Sequence, residues 1–207
     1  MAGRRGSGAE PLSAMRVEPA PRISAATDPD WLSRWLCEGT PSREALARFD
    51  SLPPVEVTEV LGTWRGAELP TGHPLDGLLG LYGWRGKRFI SADLVDPLLF
   101  EDGRTIRRVN PALIPIGLAV ARPRSVRARF VRAVVRLGLP LLATRRPRAR
   151  LRRVERAGVA SAAMIYDDKP IIDHFRRLDD GRLIGLMEMR STPAPYYFLL
   201  TRMRDGR

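Results

Sequence analysis

Cysteine is almost absent from this chain of 207 residues: Cys37 stands alone. A single thiol excludes an intrachain disulfide framework and any zinc site built from several thiolates. A reducing cytoplasm is the compartment it suits. Histidine is nearly as scarce, with His73 and His174 far apart and in no His-x-His spacing, so no metal site is expected, and no cofactor either. No stretch of eighteen apolar residues occurs, which excludes a spanning helix of ordinary length. The first 27 residues carry arginines with no apolar run behind them. They read as a disordered leader rich in Gly, Ala, Pro and Arg rather than a secretory signal.

Lysine is scarce too, and acid is missing from one long stretch. Lys87 and Lys169 are the only lysines, yet the formal net charge is +12. The basic residues are otherwise arginine, the bias expected of a GC-rich coding genome whatever the function. The excess is local: residues 122–153 hold twelve arginines and no acid. Three readings of that segment stand. It can be a solvated face. It can be an interfacial helix whose Phe130 and neighbouring apolar residues meet lipid while Arg132, Arg136, Arg145 and Arg146 meet anionic phosphates. It can bind nucleic acid, the least favoured, because no helix-turn-helix or RNP-type pattern is present and stacking aromatics are few.

What is present is a β pattern with helical additions. Residues 28–53 read as two helices, capped by Asp28 or Asp30 and by Thr40 or Ser42, with Trp31, Leu32, Trp35 and Leu36 on one face of the first and Leu46 and Phe49 facing inward from the second. "VEVTEVLGTW" (55–64) alternates and is β-branched, which predicts a first strand ending at Trp64. Residues 75–84 predict a short apolar helix, 98–109 a hairpin, and Asn110-Pro111 the start of another short helix. A helix over about 125–139 places Val126, Phe130, Val134 and Leu137 on one face. The last third predicts five antiparallel strands separated by turns at Ala157-Gly158, Asp167-Asp168 and Asp179–Gly181 and by a longer stretch at 191–195. In "LIGLMEM", Leu183, Gly185, Met187 and Met189 face one way and Ile184 and Leu186 the other. Apolarity on both faces means both are covered. The expected fold is therefore mainly β: an antiparallel, lipocalin-like barrel of about eight strands with helices over it. Residues 28–203 are expected to form one barrel domain. Its parts are 28–110, a helical basic amphipathic insertion over 111–147, and the β-meander of 148–203.

Gly62-Thr63-Trp64-Arg65-Gly66 resembles the Gly-x-Trp on the first strand of lipocalin-type barrels, where the ring plugs the floor. Together with "HPLDGLLGLYGWRGKRF", "NPALIPIGLA" and "YDDKPIIDHFRRLDDGRLIGLMEMR", it resembles more closely the bacterial family named after its GXWXG domain. In that family a C-terminal domain of unknown function normally follows in the same chain. The resemblance runs over roughly residues 30–203. It implies a compact barrel-like fold and binding of lipid or another hydrophobic ligand, with no agreed reaction.

No catalytic set emerges from the residues. Asp173 and His174 are adjacent on a strand and point to opposite faces, so neither orients the other, and no nucleophile elbow is present. The candidate ligand-binding residues are Trp64 and Trp84 as plug or wall, His73 in a turn, and the polar hairpin of Tyr166, Lys169, Asp173 and Arg176. Met187 is expected as an adaptable wall. In this reading Lys169 or Arg176 meets an anionic head group while the barrel takes the tail. The expected function is binding or carrying of a hydrophobic or amphipathic molecule, an anionic phospholipid or a fatty-acid-like one, with docking at a membrane face. The alternative is an enzyme using the same pocket, with His73, Asp173 or Tyr166 as acid or base.

Overall fold

The computed structural model describes residues 29–102, 105–190 and 192–203; the expected leader lies outside them. Two helices come first, α1 (Asp30–Glu38) and α2 (Ser42–Ser51), followed by the single turn α3 (Val57–Val60). Strand β1 (Gly62–Leu69) leads through the short α4 (Leu78–Leu81) to β2 (Trp84–Phe89), β3 (Val95–Asp102) and β4 (Thr105–Arg108). An insertion carries α5 (Ile116–Ala121), α6 (Pro123–Val126) and α7 (Arg129–Gly138). The chain closes with the meander β5 (Ala149–Arg156), β6 (Val159–Tyr166), β7 (Ile171–Asp179), β8 (Arg182–Met189) and β9 (Thr192–Arg202).

The sheet runs β2-β1-β9-β8-β7-β6-β5-β3-β4, and β2 pairs again with β3. Eight antiparallel strands thus close a barrel, and β4 hangs from β3 outside the ring. The closure has one thin seam. β3 meets β5 only at Val95↔Ala149, and from Leu99 onward its partner on that side is β4. The α5–α7 insertion leaves from β4 and returns to β5, and at its return Ala143 bridges Val109 and the Thr144 N–H donates to the Arg108 carbonyl of β4.

Both faces of the meander are covered, as the two-sided apolar pattern requires. Leu183, Met187 and Met189 join the barrel interior with Phe198 and Leu200. Ile184 and Leu186 face outward with Tyr197, under Leu32, Trp35, Ala45 and Phe49 of α1 and α2. Each such buried side chain contributes about 1.5–3 kcal/mol, and a sheet with one wet face would forgo half of that burial. The helix starts differ from expectation: Pro29 and Pro41 occupy the N-cap positions, with no side-chain cap.

The first strand begins later than its β-branched residues suggest. Val57–Val60 is a helical turn held by a capping box, in which Glu56 and Glu59 serve each other's backbone N–H groups. Arg177 anchors Glu59 at 2.7 Å. Reciprocal capping and a tertiary ion pair outweigh weak β propensity, so Trp64 lies near the start of β1, not at its end. Strand β2 has no period-2 signal, because closure buries Gly86 and Lys87 beside Trp84 and Phe89. The helix expected over 125–139 is split into α6 and α7. Val126 turns inward, whereas Phe130, Val134 and Leu137 point to solvent.

Candidate functional site

The two ends of the barrel differ. Trp64 is buried at the end where β9 finishes, opposite Arg202. Its indole N–H donates to the Val60 carbonyl at 2.7 Å, and the Arg202 guanidinium stacks 4.3 Å from the ring. This end is plugged. Toward the start of β9 the interior opens into a cavity of about 300 Å³. Its barrel walls include Trp84, Leu98, Phe100, Ile171, Met187 and Phe198. Its roof is the insertion, through Ile116, Val126, Val131, Val135, Leu139 and Leu142.

The two glycines of the Gly62–Gly66 motif explain how a tryptophan comes to sit there. Gly62 has φ +119°, open to glycine alone, where the chain turns from α3 into β1. A Cβ on Gly66 would come within 2.3–2.7 Å of three atoms of the Trp84 ring. Gly66 is therefore the seat on which Trp84 lies, and Trp84 in turn walls the cavity. Gly185 does the same for Phe198, whose ring atoms lie 2.2 Å from the position of its Cβ. The wall at that point is thus Phe198 rather than an adaptable glycine.

At the cavity floor stands a buried ion pair. Lys87 Nζ lies 2.9 Å from Asp173 Oδ2, with the side chains 3% and 0% exposed. The ammonium also donates to the Pro97 carbonyl at 3.2 Å and to the Tyr166 hydroxyl at 3.4 Å. The rings of Phe198, Trp84 and Tyr166 surround it at 4.9, 5.6 and 5.7 Å. A compact ammonium fits between a carboxylate and three rings where a planar guanidinium would need a wider slot. Burial pushes the Asp173 carboxyl above its ordinary value, against the pull of Lys87. Burial and then the Asp173 charge hold the Tyr166 phenol well above the usual range.

Of the residues singled out in the sequence, Trp84, Tyr166, Lys169 and Met187 line the cavity, and Asp173 contacts it through Lys87. Three do not line it. Trp64 fills the plugged end. His73 is a turn residue: its Nδ1 accepts from the Leu75 N–H at 3.1 Å and its ring packs edge-on to Tyr196. Burial pushes His73 below the ordinary imidazole value, although Asp76 opposes this. Arg176 points out of the barrel and stacks 5.4 Å from Phe49 under α2, so it cannot meet a head group in the cavity. His174 also faces outward, 3.3 Å from Glu188, and Asp173 and His174 lie on opposite faces. Lys87 was missed because charge reads as surface. Its signal was available: it is one of two lysines in an arginine-rich chain. Among the described residues no three metal-ligating side chains come together.

The roof is latched by side chains to backbone carbonyls. Tyr82 donates to the Val126 carbonyl at 2.5 Å and Lys169 to the Ile114 carbonyl at 3.2 Å. Arg127 donates to the carbonyls of Pro74 and Asp76. Outward, the same roof exposes Phe130, Leu137 and Leu141 to 78%, 82% and 84%. Arg145 and Arg146 are exposed beside them; the side chains of Arg132 and Arg136 lie outside the described residues. Among the described residues, no helix is long and apolar enough to cross a membrane.

No curated protein matches the chain. The family model described as "GXWXG protein" matches residues 47–104, and the "Domain of unknown function (DUF4334)" matches residues 147–202. A crystal structure of a protein from Thermomonospora curvata is 37% identical, with a TM-score of 0.57 over 78% of this chain and 87% of that one. With both models in order and a solved relative at that identity, the chain belongs to the GXWXG family, with DUF4334 as its C-terminal part.

Proposed function

We propose that this protein binds and carries a small, mostly apolar molecule inside its barrel. The observation that carries the reading is the cavity: mainly apolar, roofed by a separate insertion, with polar side-chain atoms only from Lys87, Lys169, Trp84 and three tyrosines. Size narrows the ligand. A cavity of about 150 Å³ accommodates benzene, so one of about 300 Å³ takes roughly a dozen carbons. An intact two-tailed phospholipid is too large, whereas a single fatty-acid-like chain or a two-ring molecule fits. Burial at about 0.8 kcal/mol per CH₂ makes about 10 kcal/mol available before the costs of ordering the ligand.

A membrane surface is the natural source of such a molecule, and two features support docking there. The roof exposes Phe130 and Leu137 of α7 and Leu141 just beyond it, with Arg129, Arg145 and Arg146 near them in sequence and in no ion pair among the described residues. The arginines of β5 and Arg148 just before it are different: Arg148, Arg150, Arg152, Arg153 and Arg156 pair with Asp168, Asp167, Asp93, Glu56 and Asp50. That pairing removes much of the charge a nucleic-acid reading would need. The insertion therefore combines an apolar face with unpaired basic charge, the composition of an interfacial segment.

One observation favours a second reading, an enzyme. Asp173, its carboxyl raised by burial, sits beside Tyr166 and Lys87 at the cavity floor, an arrangement suited to proton transfer. The test is gentle purification, organic extraction and mass spectrometry of the extract. A stoichiometric single-chain or two-ring molecule is expected. An empty extract, together with no change in tryptophan fluorescence on adding twelve-carbon ligands, refutes the carrier reading.

A further inference from the structure

The charges at the cavity floor sum to zero: the Lys87 ammonium is matched by Asp173 at 2.9 Å in a site almost closed to solvent. Unpartnered polar atoms of both kinds nonetheless remain there: no hydrogen-bond donor reaches Asp173 Oδ1 among the described residues. Trp84 lines the cavity, is 8% exposed, and its buried indole N–H finds no acceptor among the described residues. The longest of the three Lys87 contacts is the 3.4 Å one to the Tyr166 hydroxyl. A buried polar atom without a partner is destabilising, so the floor favours a ligand oxygen that accepts from Trp84, and a hydroxyl can also donate to Asp173.

The charge of that acceptor follows from the pair. A carboxylate at this depth would place two carboxylates around one ammonium, and two like charges in a site closed to water cannot both persist. We infer that Lys87, with Trp84 and Tyr166, forms an anchor for one uncharged oxygen, a hydroxyl or carbonyl, on an otherwise apolar ligand of about a dozen carbons. The inference rests on the carrier reading and sets the orientation of the ligand: polar end down at Lys87, apolar body under the roof. Lys169 is the rival position. It lines the cavity from the roof side, where it donates to the Ile114 carbonyl, and would hold a carboxylate head outward.

The experiment compares 1-dodecanol, 2-dodecanone, dodecane and dodecanoate at pH 7.5, below micelle formation, by quenching of tryptophan fluorescence. The alcohol and the ketone are expected to bind at least tenfold more tightly than dodecane and dodecanoate. Lys87→Met is expected to erase that preference while dodecane still binds. Because it strands Asp173, the paired replacement Lys87→Met with Asp173→Leu, which removes both charges, serves as a second variant. Trp84→Phe, which keeps the ring and removes the donor, should cut the preference for the ketone several-fold. Tightest binding of dodecanoate, lost in Lys169→Met and kept in Lys87→Met, overturns the anchor and leaves the carrier reading standing. If none of the four binds, the carrier reading fails and the anchor fails with it.

Discussion

Gly66→Ala tests the account of the motif, because the sign of its effect depends on one other residue. Gly66 does not have a left-handed φ, so its backbone accepts alanine without strain. In a strand interior, Gly→Ala by itself stabilises by about 0.5–1 kcal/mol. Here the new Cβ would lie 2.3, 2.4 and 2.7 Å from three Trp84 ring atoms. Trp84 cannot swing freely, because Phe198 stands against it at 5.8 Å, ring to ring. Overpacking of this kind costs about 1–3 kcal/mol, which leaves a net destabilisation of about 0.5–2 kcal/mol. At this chain length the melting temperature falls by about 1–8 °C. In a Trp84→Leu background the clash is gone, and the same Gly66→Ala change should be neutral or stabilising. Urea unfolding of the four proteins closes the double-mutant cycle, with a coupling energy above about 1 kcal/mol expected. Additive effects of the two changes would refute the claim that Gly66 exists to seat Trp84.

Three further outcomes are expected. Lys87→Met should cost about 3–5 kcal/mol by stranding a buried carboxylate, whereas Lys87→Met with Asp173→Leu should recover most of it; urea midpoints that do not recover sink the ion-pair account. Burial holds both His73 and His174 below 6.5. The unfolded imidazoles therefore bind protons first, and stability is lost as pH falls from 6.5 towards the folded values. Glu59 and Glu188, held below 4.5, add a second loss below that pH, while Asp173, raised from 3.8, opposes it. Urea midpoints should drop between pH 7.5 and 5.5, and less steeply in His73→Asn; a flat profile contradicts the assignment. Finally, Phe130→Asp, Leu137→Asp and Leu141→Asp together should abolish co-sedimentation with phosphatidylglycerol vesicles and leave the melting temperature within about 2 °C, because these side chains are exposed. Unchanged sedimentation would separate the roof from any membrane role.

Much of this fold is legible along the chain because strand alternation is local. Leu183, Met187 and Met189 against Ile184 and Leu186 report two covered faces without reference to any other segment, and two covered faces on an antiparallel meander call for a barrel under helices. The Gly62–Gly66 motif likewise carries its family once it is read with the three further blocks that follow it in order. What the sequence could not determine depends on partners distant in the chain. Val57, Thr58 and Val60 read as strand until Glu56, Glu59 and Arg177 meet across the fold. Lys87 reads as surface until closure of β2 onto β3 sets it beside Asp173, 86 positions further on by sequence number, in a ring of aromatics. The insertion is apolar on two helical faces, and composition treats Val131 and Val135 like Phe130 and Leu137. Only contacts across the fold, such as Tyr82 with Val126 and Lys169 with Ile114, decide which face roofs the cavity and which is left for solvent or lipid.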